Sequence, residues 1–458
     1  MSIDPTIFRA YDIRGIVDQD LTEEAVERIG AAFAVFAHRR GGRAVSVGRD
    51  CRLHSPRLAA RLMAGLRQGG IDVIELGTVS SPMQYFSLHH CQVDGGIMIT
   101  GSHNPPEYNG LKISWGQSTL HGDDIQELRA IATEPLHPAP EMGRLTSLDI
   151  TAAYQKTVLD HLRPGPRRLK IVADAGNGTA GPSIVPLLEA LGHDVVPLYC
   201  EMDGAFPNHH PDPTVEENLR DLQAAVRAHQ ADFGVAFDGD ADRLGVVDEQ
   251  SNIIWGDRLM IIFARAVLAE VPGATIIGEV KCSQTLYDAI AAAGGTPLMW
   301  KTGHSLIKAK MKESGALLAG EMSGHIFFAH RWLGFDDGVY AALRLAEILS
   351  QHPGPLSALL SDVPEPYNTP EIRRPCPEHL KFALVDAAVA HFSAQFRCDA
   401  TDGVRILLDD GWALVRASNT QPILVLRFEA STPERLAAIR HRIEEDLSRL
   451  EATLLATD

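Results

Sequence analysis

The sequence predicts an α/β chain: three related mixed α/β domains around a shared central cleft, followed by a smaller C-terminal α+β domain. Three observations carry this. The chain has 458 residues, too many for one hydrophobic core, since cores stop growing near roughly 250–300 residues. A short apolar strand running into a polar turn and an amphipathic helix recurs three times, each followed by a second strand that empties into a polar loop. Beyond a proline cluster, Pro364-Glu-Pro-Tyr-Asn-Thr-Pro370, the order changes to helix, hairpin, strand and helix.

The first unit (1–149) starts its repeat with Ala44–Asp50 and a helix over Arg57–Leu66, and reaches Gly96-Ile-Met-Ile-Thr-Gly-Ser-His-Asn104. The second (150–252) has Leu169–Gly178, a helix around Ser183–Leu191, and Phe233-Gly-Val-Ala-Phe-Asp-Gly-Asp240. The third (253–364) has Ala274–Glu279, a helix over Gln284–Ala293, and Leu317-Leu-Ala-Gly-Glu-Met-Ser-Gly324. Glycines after each helix (Gly69-Gly70, Gly192, Gly294-Gly295) suit left-handed caps. In strand–helix–strand domains, ligands gather at the carboxyl ends of strands. Three loops presented to one cleft is the economical reading; three independent Rossmann-like domains is the alternative. The proline cluster marks a linker. The fourth unit (365–458) has a helix near His379–Ala394, a hairpin over Gly403–Val415, a strand at Ile423–Phe428 and a helix from Thr432. Its antiparallel order makes it α+β.

The formal net charge is −17, from 42 Lys and Arg against 59 Asp and Glu. An acidic chain without a basic tract is a poor ligand for nucleic acid. A phosphate ester would need basic groups gathered in one cleft, against the global field. Six scattered cysteines with no C-x-x-C pair exclude a zinc cluster or dithiol motif and point to a reducing, cytoplasmic setting. The N-terminus lacks the basic and apolar regions of a signal peptide. The most apolar stretch, Leu259–Val271, contains Arg265 and is shorter than the ~20 residues of a membrane span, so it reads as a packed helix and no membrane partner is expected. Oligomeric state leaves no mark on the sequence.

Four loops carry chemistry. In Thr100-Gly-Ser-His-Asn-Pro-Pro106 a glycine permits tight geometry and two prolines stiffen the turn, so Ser102 can be held as a nucleophile or phosphate carrier. His103 and Lys112 supply donors nearby; a self-satisfying Ser/Asn turn is the other reading. In Asp238-Gly-Asp-Ala-Asp-Arg243 carboxylates at i, i+2 and i+4 share one side of an extended chain. Crowded in this way they repel unless a cation sits between them, and oxygen-only ligands select Mg²⁺ or Ca²⁺. An EF-hand is rejected because Arg243 occupies the position that demands glycine and the flanks read as strands; an acidic turn without metal is the bland alternative. In Gly320-Glu-Met-Ser-Gly-His325, Glu321 and Ser323 suit vicinal sugar hydroxyls. Lys301-Thr-Gly-His-Ser305 is a second polar loop of that unit; His304 and His325 also suit ordinary structural roles. Arg416-Ala-Ser-Asn-Thr420 offers a guanidinium, hydroxyls and an amide to a multi-acceptor phosphate, or forms a solvated turn. Arg14, Lys112, Arg243, Lys301 and Arg416 together supply the local positive field.

These loops, in this order and with Phe8-Arg-Ala-Tyr-Asp-Ile-Arg-Gly15, resemble the α-D-phosphohexomutase superfamily, nearest its bacterial phosphomannomutase/phosphoglucomutase branch, over the whole chain. The resemblance implies an isomerase that interconverts hexose 1-phosphate and hexose 6-phosphate of glucose or mannose through hexose 1,6-bisphosphate. Ser102 would be the phosphoserine, with Asp238, Asp240 and Asp242 binding Mg²⁺ together with an oxygen of the Ser102 phosphate. Glu321 and Ser323 would read sugar hydroxyls; Arg416, Ser418, Asn419 and Thr420 would grip the phosphate that is not being transferred. Tyr11, Arg14, Lys112, Arg243, Lys301, His304 and His325 would line the cleft, with His325 or His103 shuttling the proton and Lys112 assisting. The fourth domain would close over bound substrate. A phosphoglucosamine mutase is the rival within the family, and a metal-dependent sugar phosphatase the rival outside it. Glucose and mannose differ at C2, where no motif residue is assigned.

Overall fold

The computed structural model describes residues 3–418 and 421–456 and contains four sheets. In the first, Ala44–Arg49 runs parallel to Asp72–Thr78 on one side and Gly95–Ile99 on the other. Tyr108–Trp115 then returns antiparallel on Gly95–Ile99, setting Met98 opposite Lys112, and Ile13–Ile16 completes that edge. The second sheet repeats the plan: Phe233–Phe237 is parallel to Lys170–Asp174 and antiparallel to Leu244–Asp248. In the third, Leu318–Gly320 is parallel to Thr275–Glu279 and antiparallel to Ile326–Phe328.

The shared plan explains why three loops can meet. Each is the connection between a buried parallel strand and its antiparallel return, so each leaves the carboxyl end of its sheet tied at both ends by ladder hydrogen bonds. The fourth sheet is antiparallel throughout, ordered Tyr367–Asn368, Ile423–Ala430, Gly411–Ala417, Val404–Leu408, Arg397–Asp399.

The expected helices are present, as Ser55–Gln68, Gly181–Ala190, Gln284–Ala292 and Glu378–Ser393. Thr432 caps the last one, Pro433–Leu455, by accepting from the Arg435 N–H. Leu259–Glu270 falls within a helix, Gly256–Glu270, buried along most of its length, with Val271 as its C-cap. Other elements gave no signal the sequence reading used. Helix Glu23–Arg39 crosses Ser55–Gln68 so closely that a Cβ at Gly65 would lie 1.9 Å from the Glu27 carbonyl oxygen. The proline-rich stretch is more than a linker: Tyr367–Asn368 and Ile372–Pro375 both pair with Ile423–Ala430.

The fourth sheet has its own apolar core and so does one face of the first, while Leu76, Met83, Phe86 and Met98 of the first unit join the core that the second and third sheets share. The fourth unit meets the third through a small patch, Val280 with Trp412 and Leu414. Arg405 reinforces this seam, donating to the carbonyls of Val280 (2.7 Å) and Cys282 (2.8 Å), as does Arg427, donating to that of Lys281. All six cysteines are unpaired thiols. Among the described residues, no helix is long and apolar enough to cross a membrane.

Candidate active site

The loops of all four units open on one cleft of about 940 Å³. Ser102 lies at its base, buried, in a left-handed backbone conformation (φ 48°) that non-glycine residues rarely adopt. Its N–H donates to Thr100 Oγ1 (2.8 Å) and its hydroxyl to Asp238 Oδ2 (2.6 Å), with His103 Nδ1 at 3.1 Å. What holds this conformation comes from outside the loop. Arg52, fully buried, donates to the carbonyls of Ser102 (2.9 Å), Asn104 (2.6 Å), Pro105 (2.8 Å) and Tyr108 (3.1 Å). Asp50 accepts from the N–H groups of Arg52 (3.0 Å) and Gly101 (3.1 Å). Glycine is required at 101 because a Cβ there would lie 2.4 Å from Arg52 Nε.

The aspartate loop packs directly beneath. Asp238 Oδ1 accepts from the N–H groups of Asp242 and Arg243 (both 3.1 Å), which curls the chain so that the three carboxylates converge. Gly239 permits the two loops to touch: a Cβ there would sit 2.7 Å from the Ser102 carbonyl oxygen. All three aspartates are buried. Burial, and then its two neighbours, raise Asp238 well above the ordinary carboxylate range. Burial would raise Asp240 too, but the Lys112 ammonium at 2.6 Å outweighs it and holds Asp240 low. Lys112 also contacts Asp242. Asp240 Oδ1 and Asp242 Oδ1 are buried without a hydrogen-bond donor. A compact set of carboxylate oxygens with two such atoms fits a hard divalent cation.

The third unit forms the far wall. Glu321 accepts from the Gly303 N–H (2.7 Å) through Oε1 and from Ser323 Oγ (2.9 Å) through Oε2. Arg243 Nε donates to His325 Nε2 (3.1 Å), while His325 Nδ1 faces Asp336 (3.1 Å). His325, His304 and Tyr11 make an aromatic wall, with ring centroids 5.6 and 5.5 Å apart along it. Burial and then Lys308 push the His304 pKa well below its ordinary value; burial and then Arg243 and Arg14 do the same to His103. From the fourth unit come Arg416, paired through Nε with Asp402 (3.0 Å), and Ser418.

Tyr11, Arg14, Ser102, His103, Lys112, Arg243, His304, Glu321, Ser323, His325, Arg416 and Ser418 thus all line the cleft. Asn419 and Thr420 lie outside the described residues. Lys301, expected at the cleft, is instead exposed and absent from its lining; next to it, the Gly303 N–H donates to Glu321 at the site, while the Thr302 N–H donates to Asp402. Four cations in the cleft escaped the sequence reading: Arg9, Lys281, Arg373 and Arg427. Lys281 follows the strand Thr275–Glu279 by two residues, and the strand-end rule would have found it. Arg52, three residues beyond the strand Ala44–Arg49, falls under the same rule, but its contacts run to backbone carbonyls.

Four family models match the chain in order. They are the phosphoglucomutase/phosphomannomutase alpha/beta/alpha domains I (5–137), II (152–252) and III (255–367) and the C-terminal domain (371–446). The chain belongs to the phosphoglucomutase/phosphomannomutase family, within the α-D-phosphohexomutase superfamily. It is 48% identical over 450 residues to a phosphomannomutase/phosphoglucomutase of Pseudomonas aeruginosa, covering 98% of this chain and 97% of that one. It is 47% identical over 447 residues to a phosphoglucomutase of Neisseria gonorrhoeae, covering 97% of each. A crystal structure of a phosphoglucomutase/phosphomannomutase family protein from Burkholderia thailandensis matches with a TM-score of 0.90 at 44% identity, over 98% of this chain and 97% of that one. These likenesses place it in the bacterial phosphomannomutase/phosphoglucomutase branch.

Proposed function

We propose that this enzyme interconverts the 1-phosphates and 6-phosphates of glucose and mannose, with Ser102 as the phosphate carrier and hexose 1,6-bisphosphate as the intermediate. The observation that carries this reading is Ser102 itself: a buried hydroxyl held at positive φ, 2.6 Å from one of three converging aspartates, at the base of a cleft rich in basic groups. The names of the Pseudomonas and Neisseria relatives support the same substrate class.

C1 and C6 lie at opposite ends of a hexose, so one fixed serine cannot serve both in a single pose. The phosphoryl group on Ser102 Oγ passes to the free hydroxyl of the bound monophosphate, which surrenders its proton. The bisphosphate turns end for end, and Ser102 takes back the other phosphoryl. The serine proton has two acceptors within reach, Asp238 Oδ2 at 2.6 Å and His103 Nδ1 at 3.1 Å. Mg²⁺ on Asp238, Asp240 and Asp242 would neutralise charge on the transferring group. Arg243 and Lys112 add fixed positive charge at the reacting end. Glu321 and Ser323 read hydroxyls, and Arg416 with Ser418 grips the distal phosphate in both orientations. The six unpaired thiols suit a cytoplasmic setting.

A coupled assay on glucose, mannose and glucosamine 1-phosphates, with products resolved, tests the reading. Exchanged monoesters of glucose and mannose are expected. Release of inorganic phosphate and free sugar would mark a phosphatase instead, and preference for the amino sugar a phosphoglucosamine mutase.

A further inference from the structure

Asp402 stands outside the cleft lining, yet it touches two of the units that build the cleft. Its Oδ2 accepts from Arg416 Nε (3.0 Å), within its own unit, and from the Thr302 N–H (3.1 Å) of the third unit. The next amide along, that of Gly303, donates to Glu321 Oε1. Two consecutive peptide groups are therefore fastened to two carboxylates: one holds the phosphate-facing guanidinium, the other faces the sugar. Gly303 allows this, since its backbone (φ 131°, ψ 121°) lies in a region open only to glycine. The Thr302 hydroxyl is held from behind by Glu279 Oε2 (2.7 Å), and Glu279 Oε1 accepts from the Met322 N–H (3.3 Å) in the Glu321 loop. Segment 302–303 cannot shift without moving the Glu321 loop.

The contact to Arg416 uses the inner nitrogen. The two terminal nitrogens, which form the fork that pairs with phosphate oxygens, are not consumed by Asp402. Asp402 thus sets the plane of the guanidinium while pinning the neighbouring unit. We propose that Asp402 is a positioning residue that couples the phosphate grip of Arg416 to the sugar-reading loop at Glu321. A ligand that fills both ends is then held more tightly than its parts predict. This rests on the mutase reading of the site given above.

Wild type, Asp402→Ala and Asp402→Asn are compared for KM and kcat on glucose 1-phosphate and for inhibition by inorganic phosphate, which engages the grip without the sugar. Asp402→Ala is expected to raise KM about ten-fold, the lower range for a lost charged hydrogen bond, while weakening phosphate inhibition by no more than about three-fold. Asp402→Asn, which keeps an acceptor oxygen in place, should recover most of the loss. Selectivity for glucose over glucosamine 1-phosphate should fall in Asp402→Ala and return in Asp402→Asn. Equal weakening of both ligands would show that Asp402 merely orients Arg416, and unchanged KM would show that it does neither; either result overturns the coupling. If Asp402→Ala does not fold, Asp402→Ser decides by the same comparison. Absence of mutase turnover in wild type would overturn the functional reading itself, a separate outcome.

Discussion

Replacing Arg52 should silence the enzyme while leaving its metal site intact. The guanidinium makes four hydrogen bonds to carbonyls of the serine loop, all from a fully buried position. A left-handed non-glycine residue costs about 1–3 kcal/mol, and that is the strain the Ser102 loop must sustain at φ 48°. Each buried carbonyl left without a donor costs about 1–3 kcal/mol. Losing four such bonds exceeds what the loop can bear, so it should relax away from the reactive conformation. If about 3 kcal/mol appears in the barrier, kcat falls about 10²-fold. Arg52→Met and Arg52→Lys test this; the lysine ammonium lacks the planar fork and should restore little. Gly101→Ala is an independent route to the same lesion, since its Cβ would collide with Arg52. Steady-state kinetics and calorimetric Mg²⁺ titration provide the readouts, with circular dichroism to verify folding. A folded Arg52→Met enzyme with kcat within about three-fold of wild type, against the 10²-fold expected, would refute the argument.

Ser102→Ala should abolish the phosphorylated species seen by intact-mass measurement; phosphate persisting on another residue would displace Ser102 as carrier. Chelation should stop turnover, and Asp240→Asn should lower kcat at least about 10²-fold with little change in Tm; activity surviving exhaustive chelation would make the aspartates structural. Arg416→Ala should raise KM about ten- to a hundred-fold and let bisphosphate escape during reorientation, measured as bisphosphate released per turnover. Asp337, fully buried where it accepts from Tyr154 Oη and the Tyr340 N–H, is pushed by burial from 3.8 to about 7. The folded state therefore keeps its proton up to about pH 7 while the unfolded chain releases it near 3.8, so its contribution to stability falls as pH rises across that interval. Asp337→Asn, which keeps an acceptor for the helix, should be near neutral at pH 4 and stabilising by about 2–4 kcal/mol at pH 8; thermal melts at both values test the sign.

The loops that meet at the cleft were legible because each is continuous in sequence. Asp238, Asp240 and Asp242 converge through hydrogen bonds within five residues, and Ser102 is flanked by its own glycine and prolines. What escaped was set by distance along the chain. Arg52 acts on carbonyls about fifty residues away, and nothing between the two segments announces the contact. Glu279, buried, serves Lys281, Thr302 and Met322 at once, yet reads as the last residue of a strand. Lys301 lies outside the cleft lining, where the next two backbone amides tie the loop to Asp402 and to Glu321. Helix Gly338–Gln351 is buried almost all round, although Arg344, Glu347 and Gln351 share one face at helical spacing. Strands Tyr367–Asn368 and Ile372–Pro375 were hidden by prolines, which sheet edges tolerate.

The seam between the third and fourth units has one further consequence. Arg405 and Arg427 fasten it to the peptide carbonyls of Val280, Lys281 and Cys282, and also reach the side chains of Gln284 and Asp257. The Arg427 contact to a main-chain oxygen does not depend on which side chain residue 281 carries. At Lys281 the carbonyl serves the joint while the side chain faces the cleft, paired with Glu371 at 3.1 Å. A substitution at 281 therefore keeps the main-chain contact across the seam and gives up the Glu371 pair, so it changes the cleft wall while loosening the seam only in part.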